Sequence, residues 1–117
     1  MINMVVGVKR LPKLTRKEFS DHWKGHHAGL IQKCSNFNRH IESYIQYHHD
    51  EERHGLAELF GSSGEYDGIT ILKFKNKEAM ETAFAEPDYL ENVQPDEARF
   101  VDLDNCTTFI LTEEKIL

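Results

Sequence analysis

The first helix is encoded by residues 15–34, which read TRKEFSDHWKGHHAGLIQKC. Thr15 and Glu18 match the Ser/Thr-x-x-Glu pattern of a capping box, in which each side chain accepts a hydrogen bond from the backbone amide of the other residue. We therefore predict that the helix begins at Thr15 and runs to about Cys34, before the segment Ser35–Asn38.

An apolar stripe follows one side of this helix. At about 100° per residue, the stripe consists of Phe19, Trp23, Leu30 and Cys34. His26 and His27 border the stripe, whereas His22 lies further round, towards solvent. Because Trp23 and His27 are four residues apart, we expect both side chains to face the same partner, the sheet.

Strand-like segments and helical regions alternate along the rest of the chain. The segments rich in β-branched or alternating apolar residues are Met4–Leu11, 40–49, Asp67–Phe74 and Thr107–Thr112. Asn76 can cap a second helix, which has Ala79, Met80, Ala83 and Phe84 on one side. A further helical stretch, Asp88–Arg99, is predicted to be interrupted at Pro95. Asp50–Glu65 is predicted to be a long loop, with a possible helical turn at 56–60, and such loops often act as lids.

The order of these elements is βαββαβ. This order predicts a ferredoxin-like α+β fold with both helical regions on one face of an antiparallel sheet. We see no linker or repeat, so we expect a single domain over residues 1–117.

The first and last predicted strands carry apolar residues on both faces. Val5 alternates with Met4 and Val6, and Ile110 alternates with Phe109 and Leu111. A sheet that is apolar on both sides needs helices on one face and another cover on the other. A second copy of the chain is the economical cover, so we predict a homodimer.

Composition excludes several classes of protein. Fourteen basic and twenty acidic residues give a net charge of -6, which disfavours nucleic acid as a partner. No apolar run approaches the ~20 residues of a membrane span, and Met1–Val6 lacks the charged n-region of a signal peptide. Cys34 and Cys106 have no CxxC spacing and are expected to be reduced thiols. We therefore expect a cytoplasmic protein that does not bind a membrane.

Histidines and a second-strand aromatic residue supply the candidates for chemistry. His27 can act as an acid or a base near neutral pH, or it can simply stabilise packing through a buried hydrogen bond. Tyr44, Gln46 and His48 share one face of the second strand because side chains alternate. If that face points to the helices, His48 would approach His27 across a small cavity; the alternative is a solvent-exposed face.

Asp67 begins the third strand between Tyr66 and Gly68. An aspartate at this place is either a turn residue that caps the loop or a carboxylate that orients an imidazole or a substrate hydroxyl.

Motifs for metal and cofactor binding are weak or missing. His22 and His26 have the spacing of the HExxH zinc helix, but Trp23 stands where the motif has Glu. A nucleophile elbow, a phosphate loop and a dinucleotide-binding glycine motif are not found, and residues 61–64 (GSSG) are predicted to be only a flexible loop. We therefore predict no metal and no cofactor.

Several motifs together resemble the EthD domain family. They are residues 7–12 (GVKRLP), 14–19 (LTRKEF), 23–30 (WKGHHAGL), 44–48 (YIQYH), 66–69 (YDGI) and 95–102 (PDEARFVD). Phe19, Trp23 and His27 fit the F-x-x-x-W-x-x-x-H spacing of the family helix. The late Pro-Asp-Glu-x-x-Phe-Val-Asp motif looks most like the fungal polyketide-tailoring branch. Ile71 stands where many relatives have an acidic residue on the third strand, which weakens a mechanism with a carboxylate there.

The resemblance implies a dimeric α+β barrel and a choice among reactions. Relatives are associated with ether degradation, muconolactone-type isomerisation, and dehydration, decarboxylation or cyclisation of polyketides. We expect a cofactor-free lyase or cyclase for an aromatic polyketide, with His27 and His48 as general acid-base catalysts. Tyr44 and Asp67 would orient the substrate, and Trp23 and Phe100 would line its pocket. The alternatives are a muconolactone-type isomerase and a non-catalytic binding or accessory protein.

Overall fold

Four antiparallel strands form one sheet in the order β2-β3-β1-β4, in a computed structural model that describes residues 1–61 and 66–117. The strands are β1 (Ile2–Val8), β2 (Ser43–His48), β3 (Gly68–Phe74) and β4 (Thr107–Thr112). β1 is central and pairs with both β3 and β4, so the first and last strands of the chain are neighbours. This topology confirms the predicted ferredoxin-like α+β fold.

The helices pack on one face of this sheet, with the hydrophobic core between the two layers. They are α1 (Arg16–His22), α2 (Ala28–Gln32), α3 (Ser35–Asn38), α4 (Lys77–Ala85), α5 (Pro87–Asn92) and α6 (Gln94–Glu97). A π-helical segment, Trp23–His27, joins α1 to α2, and two 3₁₀ helices span His54–Phe60 and Leu103–Asn105. Among the described residues, no helix combines the length and the apolar character that crossing a membrane requires.

Local sequence signals account for the starts of the two main helices. The capping box is formed as predicted: the Thr15 hydroxyl accepts from the Glu18 amide, and the Glu18 carboxylate accepts from the Thr15 amide. Asn76 caps α4 by accepting from the amide of Ala79 at 2.8 Å. Each cap satisfies a backbone donor that has no partner inside the helix.

The π-helical segment changes which side chains the first helix buries. A π-helical turn contains more residues than an α-helical turn, so each residue turns the chain through a smaller angle. Positions four apart therefore stay in line, and the buried stripe is Phe19, Trp23, His27, Ile31 and Cys34. The prediction that Trp23 and His27 face inward together is confirmed. Leu30 is only partly buried but packs against the core, and Ile31 beside it, which was not predicted, is buried. One detail was wrong: His22 hydrogen-bonds to the buried side chain of Asp96 instead of pointing to solvent.

Several predicted boundaries also shift. β1 ends at Val8, and Arg10 makes only an isolated bridge with Val101. The helical stretch after Pro87 divides at Val93, before Pro95, which lies inside α6. The predicted loop contains the 3₁₀ helix His54–Phe60, and residues 62–65, including most of the predicted flexible loop at 61–64, lie outside the described residues.

The two faces of the sheet differ in what covers them. Met4, Val6, Tyr44, Thr70 and Leu72 point towards the helices and line a cavity there. The opposite face is open in the single chain, and the large residues on it that are 41% to 51% exposed are Ile45, Tyr47, Ile69, Phe109 and Leu111. Strand pairing brings these side chains together on one surface, because Tyr47 lies opposite Ile69 and Phe109 lies opposite Val5 of the neighbouring strand.

Candidate active site

A cavity of about 250 Å³ lies between the helices and the sheet. Most of its wall is apolar, with aliphatic residues from β1 and β3 and aromatic residues from the helices. Its ionisable side chains are His27, Tyr44, Tyr89, Glu97 and Cys106. A pocket of this composition, mainly apolar with a few polar groups, is typical of small-molecule sites, although its volume is below the roughly 300–1,000 Å³ of most of them.

His27 and Asp96 form the most buried polar pair in this region. His27 Nδ1 lies 2.9 Å from Asp96 Oδ2, and the residues are 5% and 1% exposed. The π-helical segment directs His27 inward, and the short helix α6 brings Asp96 to it from 69 positions later in the chain. A buried carboxylate is costly without hydrogen-bond donors, so this contact also stabilises the fold.

Asp96 is surrounded by groups that favour its charged form. Burial alone would raise the pKa of this carboxyl, but hydrogen bonds from His22 and His27 outweigh it and lower the pKa. His22 Nε2 lies 3.0 Å from Oδ2, while His26 Nε2 and Arg99 approach Oδ1 at 3.7 and 3.5 Å. Asp96 is therefore an ionised acceptor, and the nitrogens that bond to it must carry the hydrogens.

This arrangement determines the state of His27. Burial lowers the pKa of His27, and the opposing effect of Asp96 does not restore it, so the imidazole is neutral near pH 7. Because Nδ1 carries its hydrogen to Asp96, Nε2 is left with a lone pair. Nε2 makes no hydrogen bond to a residue within 1–61 or 66–117, and the His27 side chain lines the cavity. The pair therefore presents a neutral, oriented base to the cavity.

Tyr89 and Glu97 form a second polar pair in the cavity wall. The Tyr89 hydroxyl donates to Glu97 Oε1 at 2.5 Å. Burial raises the pKa of Glu97, although the hydrogen bond from Tyr89 opposes this. Burial and the neighbouring carboxylate also raise the pKa of Tyr89, and burial raises that of Tyr44.

Trp23 and Phe100, both predicted to line the pocket, do line the cavity. Phe100 is 1% exposed and packs against the rings of His22 and His27, with centroids 4.6 and 4.9 Å away. Trp23 lies over the start of β3, where Gly68 makes room for it: a Cβ at position 68 would collide with the indole ring. The contact with Phe100 thus restricts the rotation of the His27 ring.

The polar face of β2 points to the helices, as one of the two predicted alternatives requires. Tyr44 reaches the cavity, and Gln46 donates to the carbonyl oxygen of Trp23 at 3.0 Å. His48, in contrast, packs against Trp23 with the rings tilted and their centroids 4.4 Å apart, and it is absent from the cavity wall as far as the described residues define it. Its Nδ1 lies 2.6 Å from Ser20 Oγ and its Nε2 lies 2.9 Å from Gln46 Oε1, so both ring nitrogens are engaged. The expected approach of His48 to His27 across the cavity is therefore not found, and its catalytic role stays a prediction.

Asp67 lies apart from the cavity, in contact with two arginines. Oδ1 accepts from Arg10 at 2.7 Å and from Arg16 at 3.1 Å, and Oδ2 accepts from the Arg10 amide at 2.9 Å. Burial would raise the pKa of Asp67, but these hydrogen bonds together lower it. The geometry fits the predicted turn aspartate that fixes the β3 entry, and it gives Asp67 no contact with His27.

The suggested pairing of His22 and His26 in a metal site finds no support in the geometry. Within the described ranges, no three His, Cys, Asp or Glu side chains are grouped so that they could hold a metal ion. Both imidazoles face Asp96, with ring centroids 5.1 Å apart.

Sequence reasoning did not assign a role to Asp96, Glu97 or Tyr89. Asp96 and Glu97 belong to the late acidic-aromatic motif at 95–102, so a signal existed. The motif alone does not reveal which carboxylate meets which histidine, because that depends on how α6 packs against the first helix.

The EthD domain family model matches residues 11–104. The chain belongs to the EthD domain family. This confirms the resemblance inferred from the motifs, including the helix that carries Trp23 and His27. The chain is similar to the dehydratase aurZ of Gibberella zeae, with 25% identity over 111 residues, covering 92% of this chain and 73% of that protein.

Solved structures show the same fold. An ethyl tert-butyl ether d (ethd) family protein from Bacillus halodurans has a TM-score of 0.65 and 13% identity, covering 97% of this chain and 100% of that chain. The Arabidopsis thaliana protein At3g17210 has a TM-score of 0.64 and 13% identity, covering 100% and 99% of the two chains. At this identity, the likeness establishes the architecture of the EthD domain and nothing about its reaction.

Proposed function

We propose that this chain is a cofactor-free, dehydratase-type lyase for a ring-bearing ketone of the aromatic polyketide class. Three findings support the proposal: membership of the EthD domain family, similarity to a dehydratase, and an apolar cavity with one oriented imidazole. Elimination of water from a β-hydroxyketone needs only proton transfers, because the carbonyl group acidifies the neighbouring C–H bond.

His27 is the general base in this scheme. The observation that carries the proposal is the commitment of His27 Nδ1 to the buried carboxylate of Asp96, which leaves Nε2 for the substrate. Neutral imidazole removes the proton next to the carbonyl group, and Asp96 stabilises the imidazolium that results. Trp23, Phe100 and Tyr44 supply the surface against which the substrate ring packs.

The test uses benzylacetone and its β-hydroxy derivative as probes. The wild-type protein should catalyse exchange of the C–H protons next to the carbonyl of benzylacetone in D₂O, and should convert the hydroxy derivative to benzalacetone. His27→Asn should lower both rates by ~10²-fold or more while circular dichroism reports an unchanged fold. Binding of both probes without either reaction would contradict the proposal and favour the alternative of a non-catalytic carrier.

His40→Asn is the matched control for this variant. His40 Nε2 lies 3.0 Å from Glu86 Oε1, so it forms the same kind of imidazole–carboxylate pair, but at a site away from the cavity. The control should keep both reaction rates. Equal losses in His27→Asn and His40→Asn would show that the effect comes from weakened folding and not from the loss of a base.

We further propose that the protein works as a homodimer through its open sheet face. The five large residues on that face, Ile45, Tyr47, Ile69, Phe109 and Leu111, are at least 41% exposed in the single chain, which leaves a contiguous apolar surface in water. Sedimentation equilibrium at micromolar concentration should give twice the mass of the 13.6 kDa chain. Ile45→Lys should shift the protein towards monomer, and a wild-type protein that sediments only as a 13.6 kDa species would contradict the proposal.

A further inference from the structure

The cavity wall contains a second group that can transfer a proton, the carboxyl group of Glu97. The base step assigned to His27 does not involve this group. Glu97 directly follows Asp96 in α6, but the two carboxyl groups face different environments. Asp96 lies behind the ring of His27, whereas Glu97 lines the cavity. One short helix therefore supplies the residue that orients the base and a separate carboxyl group on the wall.

Glu97 is held in place and still has a free oxygen. The Tyr89 hydroxyl binds Oε1 at 2.5 Å, and Oε2 makes no hydrogen bond within the part of the chain that the structure describes. Tyr89 is itself buried at 9% exposure and packs against Phe37 and Phe84, so the hydroxyl cannot easily turn away. A fixed carboxyl group with one unoccupied oxygen in a largely apolar cavity is positioned to contact a ligand.

We propose that Glu97 is the general acid that protonates the departing hydroxyl group, with Tyr89 as its positioning residue. This inference rests on the proposed dehydratase function and assigns its second proton transfer. Asp96 cannot protonate the leaving group because it is ionised and bonded to His27. A separate acid on the cavity wall lets the leaving oxygen receive its proton while His27 is removing the proton next to the carbonyl group, so one imidazole does not have to do both in turn.

The atoms and charges of the reaction balance. His27 Nε2 takes the proton next to the carbonyl group, and the electron pair of that C–H bond forms the new C=C bond. The C–O bond breaks, and the leaving oxygen receives the Glu97 proton and departs as water. His27 then returns its proton to Glu97 through that water or through solvent, so the products are the unsaturated ketone and one water molecule.

The environment of Glu97 supports this role. Burial and the neighbouring charge of Asp96 raise the pKa of Glu97 above its ordinary value of 4.5, while Tyr89 opposes the shift. Burial lowers the pKa of His27 below its ordinary value of 6.5. The two pKa values move towards each other, which increases the share of molecules that hold a neutral base and a protonated acid at the same time.

The test separates the two proton transfers. Benzylacetone, which has no leaving group, reports only the action of the base, whereas elimination from its β-hydroxy derivative needs both groups. Glu97→Gln keeps an oxygen that can accept from Tyr89 but cannot donate an acidic proton. We expect this variant to exchange the protons of benzylacetone at the wild-type rate and to eliminate water ~10²-fold more slowly.

The pH profile and a control variant complete the design. Wild-type elimination should fall as the pH rises through the pKa of Glu97, and Glu97→Gln should lack that high-pH limb. Glu86→Gln, which changes the carboxylate paired with His40, should leave both rates and both limbs unchanged.

Three outcomes would overturn the assignment. Elimination by Glu97→Gln at the wild-type rate would remove Glu97 from the mechanism and leave the proposed function intact. If a folded Glu97→Gln protein loses both the exchange and the elimination reaction, Glu97 belongs to the base step. A wild-type protein that neither exchanges nor eliminates would overturn both this inference and the proposed function.

Discussion

Asp67 and Asp96 are both buried carboxylates with lowered pKa values, but they bind different kinds of partner. Asp67 accepts from the guanidinium groups of Arg10 and Arg16, which carry hydrogen-bond donors and no acceptor. Asp96 accepts from the imidazoles of His22 and His27, and an imidazole has a second ring nitrogen that can accept a proton. The first pair fixes the entry to β3, and the second leaves a titratable nitrogen next to a cavity.

The difference shows that burial of a charge does not by itself indicate a functional site. In both aspartates, hydrogen bonds offset the free-energy cost of burying the carboxylate, so both stabilise the fold. Only the Asp96 pair connects to a cavity through a side chain with a second, uncommitted nitrogen. Substitutions at the two positions should therefore have similar effects on stability, but only the substitution at Asp96 should lower turnover.

Asp96→Asn should have the largest effect. The amide cannot stabilise the imidazolium and does not dictate which nitrogen of His27 carries the hydrogen, so turnover should fall by ~10²-fold or more. The free energy of unfolding should also fall by about 1–3 kcal/mol, because buried donors lose their charged acceptor. Chemical denaturation and the elimination assay measure the two effects separately, and unchanged turnover in folded protein would contradict the assignment.

The pH dependence of benzylacetone exchange, which needs only the base, should show His27 directly. Neutral His27 is the active form, and burial lowers its pKa, so exchange is full above this pKa and is lost as the pH falls through it. The midpoint of this low-pH limb should lie below 6.5, with about a tenfold loss per further pH unit. Asp96→Asn removes an interaction that raises the pKa of His27, so the limb should move to lower pH. A limb above 6.5 in the wild type would contradict the lowered pKa.

Asp67→Asn should affect stability alone. Arg10 and Arg16 lose a charged acceptor, so the free energy of unfolding should fall by about 1–3 kcal/mol. Turnover per folded molecule and the low-pH limb should match the wild type, because Asp67 has no contact with His27. A loss of turnover as large as in Asp96→Asn would remove the distinction between the two aspartates.

His48→Gln should have the smallest effect. Glutamine can still hydrogen-bond near Ser20 and Gln46, and the ring of His48 packs behind Trp23 instead of facing the cavity. Turnover should change far less than the ~10²-fold expected of a general base. A loss as large as in His27→Asn would restore the two-histidine mechanism predicted from the sequence.

The sequence predicted the fold well because its signals are local. The capping box at Thr15, the cap at Asn76 and the alternation along Thr107–Thr112 each depend on neighbouring residues only. The inward direction of His27 followed from its spacing to Trp23. The π-helical segment was missed because its sequence carries no distinct signal, and it is the reason that Ile31 and His22 differ from the prediction.

The site was predicted only in part because it depends on long-range contacts. Asp96 lies 69 positions from His27, and nothing in the motif at 95–102 says which of its carboxylates reaches which imidazole. His48 was proposed from the face of its strand, and the face was right. His48 nevertheless contacts Trp23 and Gln46 and does not line the cavity, a matter of side-chain packing that alternation does not reveal. Ile71 lies on the open sheet face, so an acidic residue there would not reach the cavity that Glu97 lines.

The tautomer of His27 in solution tests the central claim most directly, and it needs no substrate. Long-range ¹H–¹⁵N correlation spectra of ¹⁵N-histidine-labelled protein distinguish a protonated from an unprotonated ring nitrogen, and comparison with His27→Asn identifies the signals. At pH 7 we predict a neutral ring with hydrogen on Nδ1 and none on Nε2, titrating below 6.5. A ring with hydrogen on Nε2, or an imidazolium that persists at pH 7, would contradict the assignment of His27 as an oriented general base.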